Sequence, residues 1–446
     1  MIGAQLAGGE GAAAAVAAGY SIDSRSLQPG ELFFAVRGES RDGHEFVAAA
    51  MGAGAAGAVV EREPERPDGR FLVVKDARAA LQQLATCARR QWGRPLVAIT
   101  GSNGKTTTKE ITAALLGTRL RVAKTEGNLN NDLGLPLSLL RIDEQAEVAV
   151  MELGMNHAGE IRALAAIAEP QVGVVTNVSA AHLEFFHSVE EIALAKRELI
   201  ESLPAGGTAV LNADDERVSR FAGAHPGRVV TFGIEHAAEV RAASVEDLGA
   251  EGTRFRLEAS GTTFRLALPG RHNLYNTLAA LAVARLFEIP AESLRDAVAA
   301  LAPVRMRGEL LEVRGIRILN DCYNSNPRAA EMMLSVLAAT PARRRVAVLG
   351  EMRELGGSSE DLHRQVGRRA AAANLGLLIG VGGAARALVD AAVEAGFPAT
   401  AAFFFEDAVS AGAFLKTALE GGDAVLLKGS RAVKLERAVE AVLGRG

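Results

Sequence analysis

Pro95-Leu-Val-Ala-Ile-Thr-Gly101-Ser-Asn-Gly104-Lys105-Thr106-Thr107 is the stretch that decides the fold. Residues 96–99 read as a short buried strand, 101–104 as a tight loop and 106–116 as a helix. A strand, a glycine turn and a helix start together make an anion site. Glycines let backbone N–H groups approach phosphate oxygens, and the helix N-terminus adds positive potential. Gly101, Ser102, Asn103, Gly104 and Thr107 would form the cradle, and Lys105 supplies a point charge for the outer phosphates. Thr106 offers a hydroxyl to Mg²⁺. The usual phosphate loop has about four residues between its glycines. Here there are two, because position 99 is Ile, so this is a compact variant. An ordinary glycine turn with a surface lysine is the bland alternative. Gly-Lys-Thr directly between a strand and a helix makes it the weaker one.

Outward from this stretch, strands at 147–152, 171–176 and 208–212 alternate with helices at 159–168 and 189–202. That spacing predicts a mostly parallel sheet with ligands at the strand C-termini. Alternating strands near 228–268 and two helices near 273–301 complete a central domain, 93–302. Upstream, 1–92 reads as a small α/β domain, with strands at 32–36 and 71–74, another ending at 59–60, and an exposed loop at 61–70. Downstream, 303–446 reads as a second, Rossmann-like doubly wound unit, with strands at 316–320, 346–349, 377–381, 401–405 and 424–427. The expected fold is therefore three α/β domains, the central one an ATPase-type domain built on the phosphate loop. No internal repeat of about 20–50 residues is evident.

The composition narrows the function. The 446 residues are 49% hydrophobic and 23% charged, a soluble globular balance. Net charge is −4, from 49 basic and 53 acidic residues, which argues against a general nucleic-acid binder. Cys87 and Cys322 are too few for a disulfide framework or a cysteine-rich zinc site. No run of about 18 apolar residues is free of charges and glycines, so no membrane span is expected. The Ala-rich start lacks a basic segment and contains Glu10, which makes it a poor signal peptide. A cytoplasmic protein follows. The 47 glycines and 4% aromatics point to many tight turns and little aromatic recognition surface.

Three more residues belong to the phosphate chemistry. Glu152 ends a strand, where a carboxylate faces the ligand crevice of an open α/β sheet. His182 follows the next strand by a short loop, and Lys196 lies on the helix after it. Taken singly, they read as a surface charge, a structural histidine and a solvated lysine. Phosphoryl transfer gives a reason to group them. Mg²⁺ wants carboxylate and phosphate oxygens. A carboxylate nucleophile approaching a triphosphate meets like charge, roughly 4 kcal/mol per pair of unit charges at about 4 Å and an effective dielectric near 20. Cations must offset it.

In that order and spacing, TGSNGKTTTKE, MELGMNHAGEI, TNVSAAHLEFF with AKREL, GRHNLYN and NDCYNSNP resemble the Mur ligase family, over about residues 21–431. The family joins an amino acid or peptide to a UDP-muramoyl precursor of peptidoglycan, using ATP. Thr125-Glu-Gly-Asn-Leu-Asn-Asn131 with Gly134 and Pro136 is similar to the branch that adds D-alanyl-D-alanine to UDP-N-acetylmuramoyl-tripeptide. So are Asp321-Cys-Tyr-Asn-Ser-Asn-Pro327, Leu349-Gly-Glu-Met-Arg-Glu-Leu355 and His363.

The resemblance implies that Lys105 and Thr106 hold the β/γ-phosphates and Mg²⁺, and that Glu152 and His182 are metal ligands. Lys196 matches the family's carbamylated lysine, which would also help to hold the metal. Asn273 would contact adenine, and Arg307 and Asp321 phosphate and ribose. The family usually has Gly where Met306 precedes that arginine. Ser24, Arg25 and His44 fall in the uridine-nucleotide region. Asn128 and Asn131 fall in the segment after the phosphate loop. Asn324 and Asn326 are candidates for the dipeptide, or for a turn beside Pro327. Lys428-Gly-Ser-Arg431 reads as another anion turn with no assigned role.

The reaction implied is ligation through an acyl phosphate, with ATP and Mg²⁺, by a monomer. Alternatives within enzymes are a ligase adding the third amino acid, or a folate polyglutamylating ligase. A nucleotide-dependent switch would want an encoded partner surface. An inactive scaffold would not need Lys105, Glu152, His182 and Lys196.

Overall fold

The strand Leu96–Thr100 is buried at every position, because helices cover both faces of its sheet. Val97 and Ile99 pack with the helices Lys105–Leu116 and Arg271–Leu286. The alternate residues Leu96 and Ala98 pack with Glu160–Ala168 and Val189–Glu201. The structure is a computed structural model that describes residues 3–7, 16–38, 41–63, 70–180 and 183–444. Among the described residues, no helix is long and apolar enough to cross a membrane.

Among the described residues, nine strands form the central sheet, five the first and six the third. In spatial order those of the central sheet are Thr263–Leu266, Thr253–Leu257, Val240–Asp247, Arg228–Gly233, Thr208–Asn212, Val172–Val175, Leu96–Thr100, Val148–Glu152 and Val122–Lys124. All neighbours from Val240–Asp247 onward are parallel, and the first three strands are joined antiparallel. After Leu96–Thr100 the chain first builds the sheet on one side and then crosses to the other. The phosphate-loop strand is thus the switch point where a ligand crevice opens.

The first sheet has five strands, in the order Gln5–Ala7, Phe71–Val73, Gly57–Val60, Glu31–Phe34 and Gly19–Ser21. The third has six, in the order Glu309–Val313, Ile316–Asp321, Asp423–Lys428, Arg344–Gly350, Leu377–Val381 and Ala402–Phe405. Both are parallel apart from their first strand. The expected three-domain α/β fold is present.

Four strands escaped the sequence reading: Gln5–Ala7, Gly19–Ser21, Val122–Lys124 and Glu309–Val313. Three of them are three residues long, too short for a period to register. Glu309–Val313 pairs with Ile316–Asp321 across the two-residue turn Arg314-Gly315, both at positive φ (51° and 74°). Arg is an unusual first residue for such a turn, so the hairpin signal was weak. Of the loop expected at 61–70, residues 64–69 lie outside the described residues.

Candidate active site

Gly101 has φ +148°, and a Cβ there would collide with the Thr176 hydroxyl. Gly104 has φ +81°, and a Cβ would collide with the Asn276 amide. Both glycines are therefore required by space as well as by backbone. The N–H of Ser102 donates to Asn177 O (2.9 Å) and that of Asn103 to Asn177 Oδ1 (3.1 Å). These two amides stitch the loop to the next strand's exit and do not face an anion. The N–H groups of residues 104–107, at the start of Lys105–Leu116, have no partner within the helix.

Glu152 ends its strand with both carboxylate oxygens engaged and 2% exposure. Thr106 Oγ1 donates to Oε2 (2.7 Å), and Asn130 Nδ2 donates to Oε1 (2.7 Å). Its own N–H donates to Thr125 Oγ1 (3.0 Å). Lys105 Nζ donates to Gly101 O (2.9 Å). Burial lowers the Lys105 pKa; Glu152 and Glu354 oppose that shift, and Arg307 adds to it. Lys196 is 1% exposed, and among the described residues its Nζ makes no hydrogen bond or ion pair. Burial, and then the charge of Lys105, push its pKa well below the usual lysine value. It is buried beside the site and does not line the cavity.

That cavity holds about 900 Å³ and draws walls from all three domains. Arg78 and Gln82 come from the first. Ser102, Asn103, Gly104, Lys105, Thr106, Thr107, Asn128, Asn131, Glu152 and Asn273 come from the central one. Arg307, Asp321, Asn324 and Asn326 come from the third, together with Lys428 and Glu354. Fourteen of the sequence-selected residues thus meet around one space.

In the third domain, Lys428 gains a contact that its motif did not reveal. Its Nζ donates to Asp321 Oδ2 (2.6 Å) and Asn324 O (2.9 Å), so it braces two cavity residues. Arg307 lies over the Tyr323 ring, 4.0 Å from its centroid. Met306 adopts φ +62°, which explains why glycine suits that position. Asn326 Oδ1 caps the helix Pro327–Ala339 by accepting from Ala329 N (2.9 Å), and its Nδ2 donates to Asn103 Oδ1 (2.7 Å). This residue ties the third domain to the phosphate loop. His363 is buried away from the cavity. Its Nε2 accepts from Met352 N (2.9 Å) and its Nδ1 donates to Ser359 O (2.7 Å), so it holds the 349–355 turn.

Other candidates are not brought in. Arg25 is bound to the Asp23 carboxylate (2.9 and 2.6 Å), outside the cavity, and Ser24 lies beside it. His44 also stands apart, with Nδ1 on Asp42 Oδ1 (2.6 Å) and Nε2 accepting from Glu61 N (2.9 Å). His182 lies outside the described residues. The sequence reading missed Asn130. Asn131, which it named, accepts from Gly134 N (2.8 Å) and so shapes the next helix start. Gly154 leaves room for Asn130, since a Cβ there would press on its amide, but no sequence signal marks the pair.

Three family models match in order: "Mur ligase family, catalytic domain" at 17–89, "Mur ligase middle domain" at 99–284 and "Mur ligase, glutamate ligase domain" at 306–431. The chain is 36% identical over 432 residues to the UDP-N-acetylmuramoyl-tripeptide–D-alanyl-D-alanine ligase of Escherichia coli K12, covering 96% of this chain and 94% of that one. The chain belongs to the Mur ligase family.

Among solved Mur ligases, it superposes on MurF from Acinetobacter baumannii with a TM-score of 0.87, at 32% identity over 95% of this chain and 93% of that one. MurF from Thermotoga maritima in complex with ADP gives 0.84, at 30% identity over 96% and 97%. A diaminopimelate-adding Mur ligase (TM-score 0.55) and the folylpolyglutamate synthase of Mycobacterium tuberculosis (0.64) match at 19% identity each, a likeness of fold alone.

Proposed function

We propose that this Mur ligase joins D-alanyl-D-alanine to UDP-N-acetylmuramoyl-tripeptide at the expense of ATP, through an acyl phosphate. One observation carries it. The Thr106–Glu152 pair, 2.7 Å apart, opens into a cavity walled by all three domains. The relatives at 31–36% identity over nearly full length bear that ligase's name.

The hydroxyl of Thr106 and the carboxylate of Glu152 are hard oxygen donors, few in number. That suits Mg²⁺, which takes one or two protein carboxylates and completes its shell with phosphates and water. Bound there, Mg²⁺ would neutralise charge on the β- and γ-phosphates. Thr106, Glu152 and His182 are its proposed protein ligands. Lys196 would join them if carbamylated, and its depressed pKa favours the neutral amine that adds CO₂.

Lys105 and the N–H groups of residues 104–107 grip the phosphates. Asn273 contacts the adenine, and Asp321, braced by Lys428, contacts the ribose. The tripeptide carboxylate attacks the γ-phosphorus, giving acyl phosphate and ADP. The dipeptide amine then attacks the acyl carbon, and phosphate leaves. Lys105 and Arg307 offset the like charges that this approach brings together.

The role of Asn326 shifts from dipeptide contact to domain tie, because both ends of its amide are engaged. Asn324 keeps its side-chain NH₂ for the dipeptide. The uridine end would lie at the first-domain wall by Ile22, Arg78 and Gln82, with Ser24 and Arg25 beyond the cavity. The enzyme would act as a monomer in the cytoplasm, with the cavity lined from all three domains of one chain.

The test is phosphate release with ATP, Mg²⁺, UDP-muramoyl-tripeptide and a panel of amines. Turnover with D-alanyl-D-alanine is expected. Turnover with single amino acids but not the dipeptide would sink the substrate assignment. Turnover without any muramoyl acceptor would sink the ligase. Lys196→Ala is expected to lose at least about a hundredfold in kcat, with partial recovery in acetate or formate; full activity removes it from the mechanism.

A further inference from the structure

Lys109 lies one helical turn beyond Lys105 on Lys105–Leu116, and its side chain is 0% exposed. A buried ammonium is costly unless hydrogen bonds and an opposite charge compensate it. Here both do. Nζ donates to Thr125 O (2.6 Å), has a longer contact to Gly127 O (3.4 Å), and pairs with Glu110 Oε1 (2.9 Å). Glu110 pairs in turn with Lys124. Two neighbouring helix residues therefore grip the segment 124–127.

That segment holds the cavity carboxylate. Thr125 Oγ1 accepts the N–H of Glu152, and Asn130 Nδ2 donates to Oε1. Thr106, on the gripping helix itself, donates to Oε2. Glu152 is thus held from two carriers, the phosphate-loop helix and the segment 125–130, and Lys109 fastens one to the other. Lys109 does not line the cavity, so it acts through its neighbours.

We propose that Lys109 is a positioning residue for phosphoryl transfer. It locks the segment 125–130 to the phosphate-loop helix and so sets the Glu152 carboxylate at a fixed place relative to Lys105 and Thr106. The proposal rests on the ligase reading insofar as Glu152 serves the ATP–Mg²⁺ site. A lysine that merely filled the interior would affect folding alone. A positioning residue affects kcat and the metal requirement.

The experiment compares wild type with Lys109→Met, a side chain of similar length without the charge. The readings are steady-state kinetics, the Mg²⁺ concentration for half-maximal rate, and hydrogen–deuterium exchange of residues 124–130. In Lys109→Met, kcat is expected to fall at least tenfold, the Mg²⁺ requirement to rise several-fold, and KM for the UDP-precursor to stay within twofold. Exchange in 124–130 is expected to quicken. A folded Lys109→Met with wild-type kcat and Mg²⁺ requirement overturns the proposal, even if its melting temperature falls.

Should Lys109→Met not fold, Thr125→Val cuts the same link at its next joint. It is expected to show the same kinetic pattern, and Thr125→Ser, which keeps the hydroxyl, at least five times its kcat. Equal kcat for the two overturns the proposal. A wild-type enzyme with no turnover toward a muramoyl acceptor overturns the ligase reading instead. The exchange of 124–130 and the affinity for Mg²⁺–ADP then judge the clamp, and values unchanged in Lys109→Met overturn it.

Discussion

His272 lines the cavity beside Asp321 and Lys428. Burial pushes its pKa down to about 4; Asp321 pulls it up, and Lys428 adds to the depression. In the folded state it therefore binds fewer protons than in the unfolded state between about pH 4 and 6.5. Its contribution to stability is complete above that window and is lost as pH falls through it. The ring is partly open to the cavity, so about 1 kcal/mol is expected, less than the ~3 kcal/mol of a full shift. His272→Gln should flatten the fall in urea midpoint between pH 7 and 4.5, and parallel curves for the two proteins would refute this. Residue types were legible at this scale, but directions were not. Lys105 and Glu152 were readable because a strand end or helix start dictates where their side chains point. Asn130 and Asn131 are chemically identical neighbours in a loop. Only the folded course of the loop decides that the first meets Glu152 and the second Gly134.

Between the helix Arg295–Ala299 and the strand Glu309–Val313, the chain turns through Met306 at φ +62°. A non-glycine residue there costs roughly 1 kcal/mol in backbone energy. The residue is 9% exposed and packs in the cluster that includes Ile318, Val348 and Leu427. Burying a methionine contributes about 1.5–3 kcal/mol, so packing outweighs strain. Met306→Gly should therefore lower the stability by a net ~0.5–2 kcal/mol and with it the melting temperature; a rise would show that strain dominates. The same competition explains which elements were readable. Long buried strands such as Leu96–Thr100 and Leu377–Val381 announce themselves as apolar runs. Val122–Lys124 exists because Val148–Glu152 offers it an edge.

At the scale of the whole molecule, the contacts that join the central and third domains among the described residues include three hydrogen bonds and the Arg328–Asp215 ion pair (3.9 Å). Asn326 Nδ2 donates to Asn103 Oδ1, Glu184 N to Glu354 O (3.1 Å), and Arg328 lies within 3.4 Å of Val178 O. Asn326→Asp keeps the helix cap and removes the donor to Asn103. In the orientation that donates Nδ2 to Ser179 Oγ (2.9 Å), Asn103 turns Oδ1 toward the new carboxylate, two acceptors face to face. The KM for ATP should rise about tenfold while the melting temperature holds, since a carboxylate caps a helix as well as asparagine does. An unchanged KM would show that the tie is incidental. The sequence by itself determined the domain order, the phosphate loop, the carboxylate at the strand end and the family. Each of these is written in contiguous residues, where local backbone preference and spacing carry the information. Tertiary structure alone decided that Lys109 and Lys196 are buried, that Asn130 holds Glu152, and that Asn326 spans two domains. Burial and partnership between distant segments depend on how separately folded layers pack, and no local pattern encodes the distance between them.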